Sequence, residues 1–281
     1  MNLNALSLKD VIPSSGAVVD SLTSHGDEVF VARRNSQKVE VYDAGTLSVQ
    51  RSITVPGLGT QLYGLTACIS NSCLYMSDYH NSCIHRAELM GSNAVTKWSV
   101  ALRPRGLSVN RAHNVVVACY EANKLQEYTT HGSLVREICL QAGVTSPWHA
   151  VQLSSGDYVV SQYTSLGVVS VVGVDGQVRC SYGQSQTSGV GQLKHPASLA
   201  VTKNDVIVVA GNNRILSMNS SLSSVQQLTL PVDGGIKQPW SLCLDESRGR
   251  LYVGESTGGR VLVFVTIKHQ QIYNAYDDPT A

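Results

Sequence analysis

The chain has 281 residues, of which 43% are hydrophobic and 15% charged, and its net charge is +1. Charged residues are scarce against the roughly 25% usual in soluble domains. The composition therefore excludes a disordered chain, and the near-zero charge excludes a global field that would draw duplex DNA or an anionic membrane.

No stretch reaches the ~20 apolar residues of a membrane-spanning helix. The first residues, Met1-Asn-Leu-Asn-Ala-Leu-Ser-Leu-Lys-Asp, lack the basic start and apolar centre of a secretion signal. The seven cysteines are odd in number, scattered, and mostly set in apolar runs. There a free thiol behaves as a small buried hydrophobe, so the expected compartment is a reducing one, the cytoplasm.

Along the chain, Ala5–Val11 alternates as a strand does. A tail of the form Pro-x-x-apolar-x-apolar then recurs, beginning near 13, 62, 104, 147, 196 and 239, so the steps are 49, 42, 43, 49 and 43. Six repeats of this period fill the chain as one body over 1–281, with 268–281 a polar C-terminal tail. Repeat one predicts strands at Gly16–Asp20, Glu28–Ala32, Lys38–Tyr42 and Leu47–Val55. Repeats two to five each predict four more short strands, the last of them Val225–Leu230. Repeat six supplies Ser241–Asp245, Arg250–Gly254 and Arg260–Val265, with no clear fourth strand. Four strands per repeat, with turns every 8–12 residues, make an all-β fold. The even return selects a six-bladed β-propeller with four-stranded blades. The N-terminal strand Ala5–Val11 is expected to complete the last blade and close the ring.

The longest copy is Tyr182–Val201, Y-G-Q-S-Q-T-S-G-V-G-Q-L-K-H-P-A-S-L-A-V. Its Gly-rich loop, Gln192-Leu193, and Pro196 resemble the NHL repeat. Cys73-Leu-Tyr-Met-Ser-Asp-Tyr-His-Asn-Ser-Cys-Ile-His-Arg is similar to the second half of that repeat, and Ile207–Ile215 and Leu251–Val261 follow it more loosely. The resemblance covers about 13 to 266. Repeat two departs from it with Leu62 in place of Pro. Repeat four departs with Thr164-Ser-Leu-Gly in place of the Asn-x-x-Ile element. The resemblance implies the propeller, and a face that recruits protein or single-stranded RNA.

Two sets of loop residues are expected on one face. Just after the Pro position stand Ser14, Tyr63, Arg105, Trp148, Ala197 and Trp240. In the loop between the second and third strands stand Arg34, Tyr79, Tyr120, Tyr163, Asn212 and Ser256. With His149 and His195 beside them, the expected binding face is Tyr63, Tyr79, Arg105, Tyr120, Trp148, His149, Tyr163, His195 and Trp240. Aromatic residues and arginine anchor protein interfaces and stack single-stranded bases. Taken singly, each of these rings is as well explained by plugging the channel or capping a strand.

Catalytic residues are not expected. The residues after the Pro position carry no histidines for a metal of the peptide-amidating-lyase kind. Asp20 and Asp245, read at the far ends of their strands, leave no oxygen cluster for a hard cation. Cys73, His80, Cys83 and His85 match no common zinc spacing. No G-x-S-x-G elbow occurs. No metal and no cofactor is therefore expected. The expected function is a non-catalytic, NHL-type propeller that binds a protein or peptide, with single-stranded RNA second. The alternative is a small-molecule enzyme of the lactonase or strictosidine-synthase type.

Overall fold

The computed structural model describes residues 1–90, 94–183, 193–211 and 214–266. Most of the Gly183–Gly191 loop, Gln192, Asn212 and the polar tail lie outside them. The described residues form six four-stranded antiparallel sheets arranged as a six-bladed β-propeller, with no helix among them. In five blades the strands run consecutively from the channel outward. In the sixth, Leu6–Ile12 lies outside Val261–Thr266, antiparallel to it, so the two ends of the chain share one sheet. Ile12 is fully buried and Leu6 nearly so. That strand thus covers an edge that would otherwise stand open.

Strand periodicity explains the core. The second strands, such as Cys73–Asp78, Val115–Cys119 and Tyr158–Gln162, are buried along their whole length. They sit between neighbouring blades, and both faces are apolar, as Val115-Val-Val-Ala-Cys shows. The outer strands alternate less and are exposed, as in Leu134–Cys139.

The strand register corrects the first repeat. The inner strand of blade one is Val19–His25 rather than Gly16–Asp20. Val19 pairs with Arg33 and a bulge follows before Ser21. Leu62 and Asp78, Pro104 and Cys119, Pro147 and Gln162, and Pro239 and Glu255 hold the same place in their blades. The repeat therefore begins at Val19, not at Pro13. The first step becomes 43, in line with its neighbours. The residue after the Pro position in blade one is then Asp20, not Ser14.

The next position around the ring reads Ser21, Gly64, Gly106, His149, Ser198 and Ser241, and it closes the propeller from within. Ser21 Oγ accepts from Leu65 N at 3.0 Å, Ser198 Oγ from Leu242 N at 3.1 Å, and Ser241 Oγ from Leu22 N at 3.0 Å. His149 Nδ1 accepts from Leu199 N at 3.0 Å in the same way. The two glycines let the next strand come closer still. A Cβ on Gly64 would lie 2.3 Å from Arg105 O, and one on Gly106 would lie 2.7 Å from Trp148 O. Each of the four hydrogen bonds joins two blades and contributes about 1 kcal/mol.

The loop between the second and third strands needs one residue in the left-handed region. Asn35, Ser82 and Asn123 supply it in blades one to three, with φ of 61°, 48° and 47°. In blade four, where the Asn element is missing, Gly167 supplies it at φ 60°. A Cβ there would stand 1.6 Å from Leu193 O. Close approach of the next blade thus explains the departure of repeat four.

Candidate functional site

The loops that enter the inner strands and those that leave the second strands meet at one mouth of the channel. There the aromatic rings converge. Trp148 is the hub, with ring-centroid separations of 4.3 Å to Tyr163, 5.3 Å to Trp240, 5.6 Å to Tyr63 and 6.0 Å to Tyr120. Tyr79 reaches Tyr63 at 5.3 Å, and Tyr163 reaches His195 at 4.8 Å and Trp240 at 5.5 Å. Most of these pairs are edge-to-face, the arrangement aromatic quadrupoles favour.

Arg105 stands inside this ring. Its guanidinium carbon lies 4.0 Å from the centroid of Tyr63, 4.1 Å from those of Tyr79 and Trp148, and 4.8 Å from that of Tyr120. Four ring faces around a desolvated cation form a cage, and each supplies part of the negative potential that compensates its burial. Arg105 is only 8% exposed, Tyr79 7% and Trp148 6%. Tyr63, Tyr120, Tyr163 and Trp240 are half-buried and His195 is exposed. These five are the rings that a ligand reaches. Beside them a recess of about 130 Å³ is lined by Tyr163, His195, Gln238, Pro239, Trp240 and Ser256.

The charge of the mouth is more balanced than the sequence implies. Arg34 donates from Nε and Nη2 to Asp20 Oδ1 at 2.9 and 2.8 Å. Arg103 pairs with Glu121 at 2.9 Å and donates to Tyr79 Oη at 2.7 Å. Lys194 and Lys237 are exposed. Asp20, read from the sequence at the far end of its strand, stands at the start of Val19–His25, on the aromatic side. Burial raises its carboxyl above the usual range, against the lowering effect of Arg34 and Arg105. Asp20 Oδ2 and Arg105 Nε have no hydrogen-bond partner among the described residues.

Below the rings the channel narrows to a cavity of about 30 Å³ lined by all six inner strands, among them Asp20, Ser198 and Ser241. That is room for about one water molecule. His149 belongs to this wall rather than to the rim. Its Nδ1 accepts from Leu199 N and its Nε2–H donates to Leu107 O at 3.0 Å. Both nitrogens are engaged, and burial lowers its imidazole to about 4. His149 is thus a neutral cross-blade brace, and the serines at the same position in three other blades were the signal for it.

The geometry therefore brings together eight of the nine face residues, assigns His149 to the wall, and adds Asp20 and Arg34. No protein-family description matches this sequence, and no curated protein does. Solved structures of the same shape do exist. A streptogramin B lyase superposes with a TM-score of 0.64 at 13% identity, over 92% of this chain and 97% of that one. Virginiamycin B lyase from Staphylococcus aureus gives 0.66 at 10% identity, over 93% and 100%. Hydrazine synthase from Kuenenia stuttgartiensis gives 0.65 at 14%, over 86% and 75%. At these identities the likeness establishes the propeller and nothing about chemistry.

Proposed function

We propose that this propeller is a non-catalytic binding module of the NHL type, which holds a peptide segment of a protein partner across the aromatic mouth. The observation that carries the reading is the convergence of four half-buried rings from blades two, three, four and six: Tyr63 and Tyr120 on the caged Arg105, and Tyr163 and Trp240 on Trp148 beside it. A half-buried rim of rings over a packed floor offers large contact area at little entropic cost, which is how interface anchors work. The 130 Å³ recess beside Trp240 suits a single side chain of the ligand.

A peptide is favoured over RNA by the charge pattern. Arg34, Arg103 and Arg105 are held by Asp20, Glu121 and the aromatic cage. Lys194 and Lys237 alone do not track a phosphate backbone, where each contact needs its own cation.

The test is selection of peptides from a phage-displayed random library on the purified protein, against oligo-uridine and oligo-adenine RNA as competitors. A peptide ligand should lose little affinity between 50 and 200 mM salt. RNA held by four phosphate contacts would lose ~50-fold over that range. Selection of no peptide, together with steeply salt-dependent RNA binding, would replace the peptide reading with the RNA one.

The second reading, a small-molecule enzyme, has one observation in its favour. Asp20 Oδ2 and Arg105 Nε are unpartnered polar atoms at the top of the channel. Unpaired buried polar groups collect at sites where a ligand completes them. A lyase or hydrolase activity abolished by Asp20→Asn would promote this reading above the first.

A further inference from the structure

In five blades the last residue of the second strand carries a side chain at a common place, and the blades solve its charge in different ways; in blade five it is Gly211. This residue pairs with the Pro position of the inner strand and faces the start of the third strand. In blade one it is Arg33, neutralised by Glu40 at 2.7 Å. In blade three it is Cys119, which donates to Gln126 Oε1 at 3.4 Å. In blade four it is Gln162, which donates to Ser170 Oγ at 3.2 Å. In blade six it is Glu255, held by Arg260 at 2.7 and 3.0 Å.

Blade two differs. Its residue is Asp78, with 0% exposure, and no lysine or arginine pairs with it among the described residues. At the place where Glu255 meets Arg260, Asp78 meets Cys83 across the strand pair. Two residues further along the same face of that strand comes His85. All three side chains are buried. Hydrogen bonds from Gly59 and Asn81 hold this carboxylate ionised in place of a cation, and the ligand-type side chains turned toward it are a thiol and an imidazole.

The separations have a specific form. Cys83 Sγ lies 3.5 Å from His85 Nε2, and His85 Nε2 lies 3.3 Å from Asp78 Oδ2. The three donor atoms all lie within 4.8 Å of one another. Zinc bonds of about 2.3 Å to sulfur and about 2.0 Å to nitrogen and oxygen, set tetrahedrally, place S and N about 3.5 Å apart and N and O about 3.3 Å apart. We propose that Asp78, Cys83 and His85 form a binding site for a thiophilic divalent cation of the zinc class.

Charge completes the argument. On binding, Cys83 releases its thiol proton to solvent, and the thiolate and the Asp78 carboxylate together balance a doubly charged ion. The buried site then becomes neutral. The carboxylate is already oriented, since Gly59 N and Asn81 Nδ2 donate to Oδ2 at 2.8 Å each and Asn81 N donates to Oδ1 at 3.1 Å. Such supporting bonds are what a ligating carboxylate needs around it. The sequence hid the site because two ligands lie on one strand and the third on its neighbour. The pattern Cys73, His80, Cys83, His85 grouped the wrong residues: Cys73 faces Glu88 at the other end of the sheet, and His80 is exposed.

The experiment uses the full chain, stripped with a chelator, then given one equivalent of zinc chloride or cobalt(II) chloride and desalted. The expected result is one zinc retained per chain by elemental analysis, and a thiolate-to-cobalt absorption band in the near ultraviolet. Cys83→Ser and His85→Gln should each weaken retention at least ~10-fold. Cys139→Ser, which changes an exposed thiol in blade three, should leave it unchanged. If the variants fail to fold, wild-type protein decides alone: one zinc per chain should be retained, and the cobalt band should appear. A wild-type chain that retains no zinc and shows no thiolate band overturns the proposal, as does a folded Cys83→Ser variant that binds like wild type.

Discussion

The guanidinium carbon of Arg105 lies 4.1 Å from the centroid of the Trp148 ring, one blade onward. With Tyr63, Tyr79 and Tyr120 on its other sides, this cation is held by ring faces. A desolvated cation–π contact contributes ~2 kcal/mol or more. Arg105→Ala should therefore lower unfolding free energy by about 2–3 kcal/mol. Arg105→Lys should recover less than half of that, because an ammonium does not stack on a ring as a planar guanidinium does. Denaturant titration measures both. A lysine variant as stable as wild type would show that charge alone, without stacking, holds the mouth together.

The brace at His149 gives a pH prediction. Burial holds its imidazole near 4, below the ordinary 6.5, so the folded state keeps it neutral while the unfolded chain takes up a proton first. The stability due to the neutral form is full above about pH 6.5 and is lost as pH falls toward about 4, by up to ~3 kcal/mol. Ser21, Ser198 and Ser241 make the same cross-blade bond without a titrating group. His149→Ser should fold, and its unfolding free energy should fall less than that of wild type between pH 6.5 and 4. Parallel curves for the two proteins would assign the acid sensitivity elsewhere.

The sequence carried the six blades well, because Pro-x-x-apolar marks the start of inner strands at Pro104, Pro147, Pro196 and Pro239. It failed at blade one for a clear reason. Val19 holds the Pro position there, and Pro13 stands nearby as a decoy. Only the next-but-one residue, Ser21, matches Ser198 and Ser241, through a bond whose partner lies in the following blade. The aromatic rim was legible because its residues recur at two repeat positions whose loops share one face. Its internal packing was not, because exposure depends on how Trp148 meets rings from three other blades. The Asp78–Cys83–His85 group was illegible for a similar reason: cross-strand register, not spacing, brings it together.

Closure of the ring by the first strand can be measured directly. Leu6–Ile12 pairs with Val261–Thr266, and it buries Leu6 and Ile12. Two such side chains contribute roughly 3–6 kcal/mol on burial. Deletion of residues 1–12 should lower the melting temperature by about 10 °C or more, and the newly open edge of blade six should promote association. An unchanged melting curve would mean that the strand is dispensable.

The binding mouth yields the last prediction. Trp148 is a poor probe of it, since it touches Tyr63, Tyr120, Tyr163, Trp240 and Arg105 at once, and its removal would collapse the floor. Tyr120 and Trp240 are better, being half-buried on opposite sides of the hub. If they anchor a peptide, Tyr120→Ala and Trp240→Ala should each weaken capture of a library-selected peptide by ~2 kcal/mol, about 30-fold. Val135→Ala, on the exposed outer strand of blade three, should leave capture unchanged. Thermal unfolding of each variant separates a lost contact from a lost fold. A peptide that binds all three variants equally well does not use the aromatic mouth, and the module would then have to bind through another face.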